Sequence, residues 1–380
     1  MSRLTPSMKF LVSGYYGFGN LGDETILSAL AKELREWFPQ AEIVVLSAMP
    51  EETAKQYHVR AINRWDLMGV QRELQSATAF ISGGGGLIQD QTSRRSALYY
   101  LALIALARRR CPVYLIGQGI GPIRSRFVRA WSERLLRRVD LAMVRDEISR
   151  EVLRDWGLPE ERLVLGGDLA LLLWPQFESL RETSALGDEG PYLAICLKGK
   201  LSEKLKASVV EQLDRWSELQ NTKITFIALY PEEDLEGMEE IASRMKRSTK
   251  VLSFAKLGLK SAMECIGHAQ AIVGMRLHAL IFALLTARPF VALGDDHKLE
   301  AFVKRIEAAD GSISSCCTLT RPDAQGTELA QLLMCLNGND EIQHARLVQA
   351  GETLYRQTRQ TVNAVWKRLS DQIEAGGRVS

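Results

Sequence analysis

Short β-branched runs recur along this chain, each followed by a loop of glycines or charged residues and then an amphipathic stretch. That alternation limits the folds open to it. In the first part the runs are Lys9–Ser13, Glu42–Leu46, Ala79–Ser82, Val113–Gly117 and Leu141–Val144, all of strand length. From about Asp23 the apolar residues Ile26, Leu27, Leu30, Leu34 and Trp37 recur at i, i+3 and i+4, the spacing of one helix face. Strands separated by helices need crossover connections, which predict a parallel sheet covered on both sides. The segment Pro175–Pro191 collects Ser, Thr, Gly, Asp and Glu without periodicity, and its composition predicts an interdomain linker. The alternation then restarts at Tyr192–Leu197, Lys223–Leu229, Lys250–Leu252, Ala271–Val273 and Pro289–Leu293, and a long charged helix is expected over 341–375. The expected fold class is α/β, with two doubly wound Rossmann-like domains facing a cleft, at 1–178 and 190–338. The last helix is expected to pack back across both.

Composition supports two cores. The chain has 380 residues, 46% of them hydrophobic and 25% charged, which suits globular domains of ordinary size and excludes a disordered chain. The longest apolar runs, Tyr99–Ala107 and Ala279–Ala287, fall short of the ~20 residues a membrane span requires. Met1–Met8 carries one Arg and no apolar stretch, so the expected location is the cytoplasm. Six cysteines, Cys111, Cys196, Cys265, Cys316, Cys317 and Cys335, show no CxxC spacing and are expected to be structural thiols. His58, His268, His297 and His344 lack metal-ligand spacing, so no metal and no bound cofactor are expected. Between Arg94 and Arg138 lie eleven arginines and a single acid, Glu133, in a chain whose net charge is only +2. This asymmetry points to a solvated helix face or a polyanionic partner. No nucleic-acid motif accompanies it, and a membrane surface or a diphosphate-lipid contact fits such a partner equally well.

The chemistry-bearing residues follow strands, at the carboxyl edge where open α/β sheets bind ligands. The stretch Gly14–Glu24, GYYGFGNLGDE, places Gly17, Gly19 and Gly22 in GxGxxG order. A dinucleotide site would also want an acid after the second strand, where Ser47, Ala48 and Met49 stand instead. Asp23 and Glu24 at the helix start would oppose a pyrophosphate. The loop suits a hydroxyl-bearing ligand, or is simply a tight turn capped by Asp23. Asn20 in that loop and Gly84 and Gly85 of SGGGGLIQD are candidate substrate-binding positions, the glycines because bare backbone admits close approach. The segment Gly117–Pro122 is a similar surface or an ordinary βα connection. Arg145 follows the strand Leu141–Val144. In the second half GMRLHALIFALL puts Arg276 and His278 at a helix start, and Lys298 follows the next strand. Two cations, an imidazole and the amides of a helix start together make a pocket for a small, highly charged anion.

With GYYGFGNLGDE, SGGGGLIQD, GQGIGP, AMVRDE and GMRLHAL in this order, the chain resembles the polysaccharide pyruvyltransferases, and in particular bacterial members that pyruvylate a secondary cell-wall polymer to anchor S-layer proteins. The resemblance spans roughly Met8–Val303. It implies a fold like that of GT-B glycosyltransferases and phosphoenolpyruvate as donor. It also implies, as acceptor, a lipid-linked saccharide containing N-acetylmannosamine, met at the inner face of the cell membrane. On the family's motifs Asp23, Arg145, Arg276, His278 and Lys298 carry the site. Relatives often place an aromatic residue, Asp, any residue and Lys where this chain has Asp295, Asp296, His297 and Lys298, and an Arg where it has Lys198.

Pyruvyl transfer needs a proton delivered to the methylene of phosphoenolpyruvate and one removed from the attacking sugar hydroxyl. The expected catalytic pair is His278 as acid and Asp23 as base, with Arg276, Lys298 and Arg145 binding carboxylate and phosphate. Two rival readings remain: a GT-B glycosyltransferase using a nucleotide sugar, and a non-catalytic Rossmann-like ligand-binding protein.

Overall fold

The computed structural model describes residues 8–182, 190–254, 258–310, 317–320, 329, 333 and 340–375. Cys316 and Cys335 lie outside them. The chain divides into two compact units: Met1–Phe18 with Asp23–Ala170 and Gln357–Ser380, and Gly19–Gly22 with Leu171–Arg356.

In the first unit the strands β1 (Lys9–Ser13), β2 (Glu42–Ser47), β3 (Arg60–Asn63), β4 (Ala79–Ile88), β5 (Val113–Ile120), β6 (Leu141–Val144) and β7 (Leu163–Leu165) form a seven-stranded sheet. Their order is β3-β2-β1-β4-β5-β6-β7 and every neighbouring pair is parallel. Both faces of such a sheet are covered, so its strands are apolar throughout: Phe10, Leu11 and Val12 of β1 and Val113 to Ile116 of β5 are fully buried. The helices α1 (Leu21–Trp37), α2 (Pro50–Tyr57), α3 (Leu67–Ser76), α4 (Arg94–Ala107), α5 (Arg126–Leu136) and α6 (Glu147–Asp155) form the crossovers. Four of them start at a polar cap. Asp66, Ser93, Ser125 and Asp146 accept hydrogen bonds from the amides of Gly69, Ser96, Val128 and Ser149. On α4 the residues Ala97, Tyr100, Leu101 and Ile104 make the buried stripe that meets Leu11, Phe80 and Leu115 in the core.

The second unit repeats the plan. Strands β8 (Tyr192–Cys196), β9 (Lys223–Ala228), β10 (Lys250–Ser253), β11 (Ala271–Gly274), β12 (Phe290–Leu293) and β13 (Cys317–Thr320) lie in the order β10-β9-β8-β11-β12-β13, again all parallel. Helices α7 (Glu178–Glu182), α8 (Glu203–Gln220), α9 (Pro231–Arg244), α10 (Gly258–Gly267), α11 (Leu277–Leu285) and α12 (His297–Ala309) belong to it. Leu193, Ile195, Phe226, Val273 and Val291 form the centre of its core. The body of α11, Ala279–Leu285, is buried on every side, as expected of a helix apolar all round.

Two differences from the sequence expectation have clear causes. The strands β3, β7 and β13 are only three or four residues long and stand at or next to sheet edges, where half-exposed, polar-ended segments such as RAIN carry little periodicity. The stretch expected to open the linker is packed. Leu169–Phe177 is a 3₁₀ helix, and beyond it the buried Arg181 donates to the carbonyls of Trp174 (2.8 Å) and Leu285 (3.1 Å). Its guanidinium lies 3.8 Å from the centre of the Trp174 ring. Only the end of the 3₁₀ helix, from Pro175, falls in the expected linker, and Arg181 ties that end to α11.

The last helix, α13 (Glu341–Glu374), is in the second unit through Arg356 and in the first from Gln357. In the first unit Arg359 donates to both carboxylate oxygens of the buried Glu33, each at 2.7 Å, and Trp366 meets Phe38 edge-on. Removing one partner of a buried pair leaves an uncompensated charge, which costs about 3–5 kcal/mol. Glu33 is buried and Arg359 partly exposed, so Arg359→Met is expected at or below the low end of that range, about 2–3 kcal/mol. Adding Glu33→Leu is expected to restore most of the loss, with urea unfolding of both variants as the measurement. A double variant no more stable than the single one would contradict this.

Candidate active site

Each unit has a switch point, between β1 and β4 in the first and between β8 and β11 in the second, where strand order reverses and a crevice opens at the carboxyl edge. Asp23 and Gly85 stand at the first of these places and Arg276 and His278 at the second, while Arg145 and Lys298 follow strands farther along each sheet.

In the first unit the loop after β1 is braced by its own side chains. Glu24, in the first turn of α1, folds back to accept from the Gly17 amide (2.7 Å) and from the Tyr57 hydroxyl (2.8 Å). Tyr16, fully buried, donates to the carbonyl of Gly83 in the tetraglycine segment. Gly84 and Gly85 have positive φ, 68° and 74°, where other residues are strained. A Cβ on Gly85 would lie 2.7 Å from Asp23 Oδ1. The bare backbone is therefore what lets the Asp23 carboxylate sit against β4. Gln118 holds the same segment from β5, donating to the Gly85 carbonyl (2.9 Å) and accepting from Ser82 (3.0 Å). A negative charge at this backbone disfavours a phosphate there and suits a hydroxyl, which a carboxylate accepts from or deprotonates.

Arg145 is buried between Asp146 (3.3 Å) and Asp168 (3.6 Å), so its charge is balanced within the first unit. Asp168 was not singled out from sequence. It follows β7, the short strand that the periodicity does not show.

In the second unit the structure brings together residues far apart in sequence. The Gly19–Gly22 part of the first glycine motif belongs here. Leu21 donates its amide to the Leu229 carbonyl (2.9 Å), and Asn20 accepts from the Gly22 amide (3.1 Å). The His278 imidazole lies against Gly22, so close that a Cβ on that glycine would stand 2.0 Å from Nδ1. Arg276 precedes α11, lies over the Tyr230 ring, and is held by Asp234 through Nε (2.7 Å) and Nη2 and by Glu233 (3.0 Å). Burial by itself would weaken the Arg276 charge, but these carboxylates outweigh it and hold its pKa above the ordinary value. Asp234, which sequence reasoning missed, is completely buried and also accepts from the Tyr230 amide. Arg276 is thus matched by a carboxylate pair and serves first to fix the entrance of α11. That entrance has no side-chain cap and no acid in its first turn, so its positive end is directed at the crevice.

The departures at Lys198 and His297 converge on one carboxylate. Asp296 caps α12 by accepting from the Lys298 amide (3.1 Å), and it lies 3.5 Å from Lys198 Nζ and 3.6 Å from His297 Nδ1. Burial pushes its pKa up, but the charge and amide of Lys298 and the charge of Lys198 more than offset this and leave it below the usual carboxylate value. Among the described residues no three His, Cys, Asp or Glu side chains cluster as a metal site, and no helix is long and apolar enough to cross a membrane.

Residues 20–297 match the model of one family, described as polysaccharide pyruvyl transferase. The chain belongs to the polysaccharide pyruvyl transferase family. It is accordingly a transferase, and the matched span takes in Asn20, Gly22, Asp23, the tetraglycine segment, Arg145, Arg276 and His278, ending just before Lys298. No curated protein matches the sequence. Among solved structures it is similar to MnaA of S. aureus with UDP (TM-score 0.66, 12% identity, covering 96% of this chain and 97% of that one). It is also similar to HepE of Anabaena with UDP and glucose (TM-score 0.61, 13% identity, 97% and 100%). A third is the UDP-GlcNAc 2-epimerase of Neisseria meningitidis bound to UDP-GlcNAc (TM-score 0.58, 13% identity, 96% and 100%). These likenesses establish the fold, two Rossmann-like units of the GT-B type.

Glu24 gives this pyruvyl transferase a pH signature. Burial raises its pKa above the ordinary 4.5, and the hydrogen bonds from Gly17 and Tyr57 offset only part of that. Between the ordinary and the raised value the folded chain holds a proton that the unfolded chain has lost, so stability falls as pH rises through that window. Glu24→Gln retains an acceptor for Gly17 and has no proton to lose. Measured by urea unfolding, the stability of the wild type relative to Glu24→Gln is expected to decline from pH 4 upward and then level off. A difference independent of pH would contradict the assignment.

Proposed function

We propose that this family member transfers the pyruvyl group of phosphoenolpyruvate to a saccharide precursor, closing a cyclic ketal on two sugar hydroxyls and releasing phosphate. The N-acetylmannosamine residue of a lipid-linked cell-wall polymer is the acceptor we infer. The observation that supports the reading most is the seat of His278 on Gly22, which joins the titratable residue of the last motif to the loop of the first. In this reading the second unit takes the donor and the first unit the acceptor.

The trianionic donor is held at the positive end of α11 and by Lys298 and Lys198, while Arg276, locked by Asp234, keeps that end in place. His278 gives a proton to the methylene carbon of phosphoenolpyruvate. The sugar hydroxyl adds to the neighbouring carbon and yields its own proton to Asp23, the residue after Gly22. Phosphate then leaves with the electron pair of its C–O bond, and a second hydroxyl of the same sugar adds and loses its proton. The balance is one phosphoenolpyruvate and one sugar diol in, one ketal and one phosphate out. The Asp23 carboxylate beside Gly85 is the wrong charge for a donor phosphate and the right one for a hydroxyl, which supports the division of roles.

Contact with an anionic membrane is part of the proposal. The arginines between Arg94 and Arg138 include four on α5, Arg126, Arg129 and Arg134 within it and Arg137 as its C-cap, and on the same helix Phe127 is 68% exposed beside Trp131. Cations around an exposed aromatic pair suit a lipid headgroup layer. At low ionic strength the protein is expected to sediment with vesicles containing anionic lipid and not with neutral ones, and to be released by salt. Equal binding to both would leave the arginines as a solvated surface.

The reaction itself is tested by calorimetry and phosphate release. Lys298→Ala is expected to weaken phosphoenolpyruvate binding about tenfold or more, the loss of one charge-assisted partner. Arg276→Ala is a poor substitute, since it strands Asp234. His278→Gln, Asp23→Asn and Gly22→Ala, the last by displacing the imidazole, are expected to cost roughly 10²–10⁴-fold in turnover with donor affinity little changed. Near-normal turnover with weak donor binding in His278→Gln would make His278 a donor ligand instead. Binding of a UDP-sugar without binding of phosphoenolpyruvate would favour a glycosyltransferase.

A further inference from the structure

Arg64, just past β3 on the carboxyl edge of the first unit, takes no part in the reaction above. It is 3% exposed. Its Nη2 donates to the Tyr100 hydroxyl at 3.3 Å, while Nε and Nη1 are buried and meet no hydrogen-bond partner among the described residues. No carboxylate among them lies within ion-pair distance, although the other buried arginine of this unit described above, Arg145, has two. Four rings surround the guanidinium instead: Tyr99 at 4.3 Å, Phe18 at 4.9 Å, Tyr100 at 5.3 Å and Trp65 at 5.4 Å to their centres.

The cage is held in place from several sides. Tyr99 donates to the Arg64 carbonyl (2.8 Å), Tyr100 to the Gly14 carbonyl (3.0 Å), and the Arg64 amide to the Ser47 carbonyl (3.0 Å). Phe18 and Gly14 come from the loop that precedes Asp23, so the cage stands beside the first motif. Buried N–H donors are almost always satisfied, and a buried cation without a counter-ion is costly. Ring faces attract the charge but offer its N–H groups no oxygen. An oxygen-rich anion would supply those oxygens. Trp65, by contrast, is 64% exposed and packs on Tyr99 at 4.8 Å, a flat apolar surface of the kind on which a sugar ring's C–H face rests.

Resting on the saccharide acceptor proposed above, we infer that Arg64, Trp65 and Tyr99 form a subsite for a phosphoryl group carried by that acceptor, with its adjoining sugar on Trp65. An unmodified sugar has no charge to offer Arg64. A phosphoryl group that bridges the sugar to its carrier has one negative charge and two free acceptor oxygens, one for each unmet nitrogen. Nε and Nη1 are buried, so binding in this reading requires the cage around Arg64 to open.

The test uses the full chain without phosphoenolpyruvate and three probes: an N-acetylmannosamine-containing disaccharide with a reducing-end diphosphate, the same disaccharide without it, and one bearing a uronate. By calorimetry the wild type is expected to bind the diphosphate form about tenfold or more tighter than the neutral one. Its tryptophan fluorescence is expected to change on binding, and Trp65→Phe to remove that change. Arg64→Met is expected to erase the preference, leave phosphoenolpyruvate affinity intact and unfold at no lower urea concentration, since an apolar chain replaces an unpaired charge. Arg64→Lys, which keeps the charge, is expected to retain part of the preference. A preference that survives Arg64→Met, a uronate bound as well as the diphosphate, inorganic diphosphate competing as well as the saccharide diphosphate, or no wild-type preference at all would each overturn the proposal. A wild type that prefers the diphosphate saccharide yet releases no phosphate from phosphoenolpyruvate would refute the pyruvyl reading and leave this subsite standing.

Discussion

Parallel strands all end on the same edge of their sheet, so every loop that follows one is delivered to the same side. That constraint organises each unit here. It explains how Gln118 of β5 and the helix after β1 meet the tetraglycine segment, and how the residues after β9 and β11 meet at Arg276. The two edges then differ in sign. Asp23, Asp146 and Asp168 dominate the first, with Arg145 between the last two. Lys198, Lys298 and the start of α11 dominate the second, where Arg276 is already matched. The first edge is acidic only around Asp23, Asp146 and Asp168, since Arg64 stands farther along it beside β3.

Much of this was legible in the sequence, because the signals involved are local. A β-branched run, a polar cap and a glycine cluster are each written in a few neighbouring residues, and the long strands, the capped helices and the motif positions follow from them. What was not legible is pairing across distance. Nothing near Arg276 announces Asp234, 42 residues away, and nothing near Arg145 announces Asp168, which follows a strand of three residues. The sequence shows that Gly84 and Gly85 free the backbone, but not that the Asp23 carboxylate fills the space so opened. Glu24 reads from sequence as an acid at a helix start, while in the fold it turns away to hold Gly17 and Tyr57.

The linker shows the same limit from the other side. Its composition is that of a loop, yet before Glu182 the buried Phe177 and an arginine stacked on Trp174 hold it in packed structure. Where a few side chains decide the conformation of a stretch, averaged composition misreports it. The departures at Lys198 and His297 make sense on similar grounds, since both answer to Asp296 and neither is interpretable alone.

The buried clasp of Arg276 by Asp234 has a consequence for how this sequence can change over time. Replacing Arg276 leaves the wholly buried Asp234 without its cation, and replacing Asp234 leaves the half-buried Arg276 with Glu233 alone. A lineage can therefore leave this arrangement only by altering both positions together, or by passing through a weakened intermediate. Two sites 42 residues apart are thereby bound into one heritable unit. Related chains are expected to carry both residues or neither, a pattern of joint inheritance that arises from electrostatics even before any demand of catalysis is added.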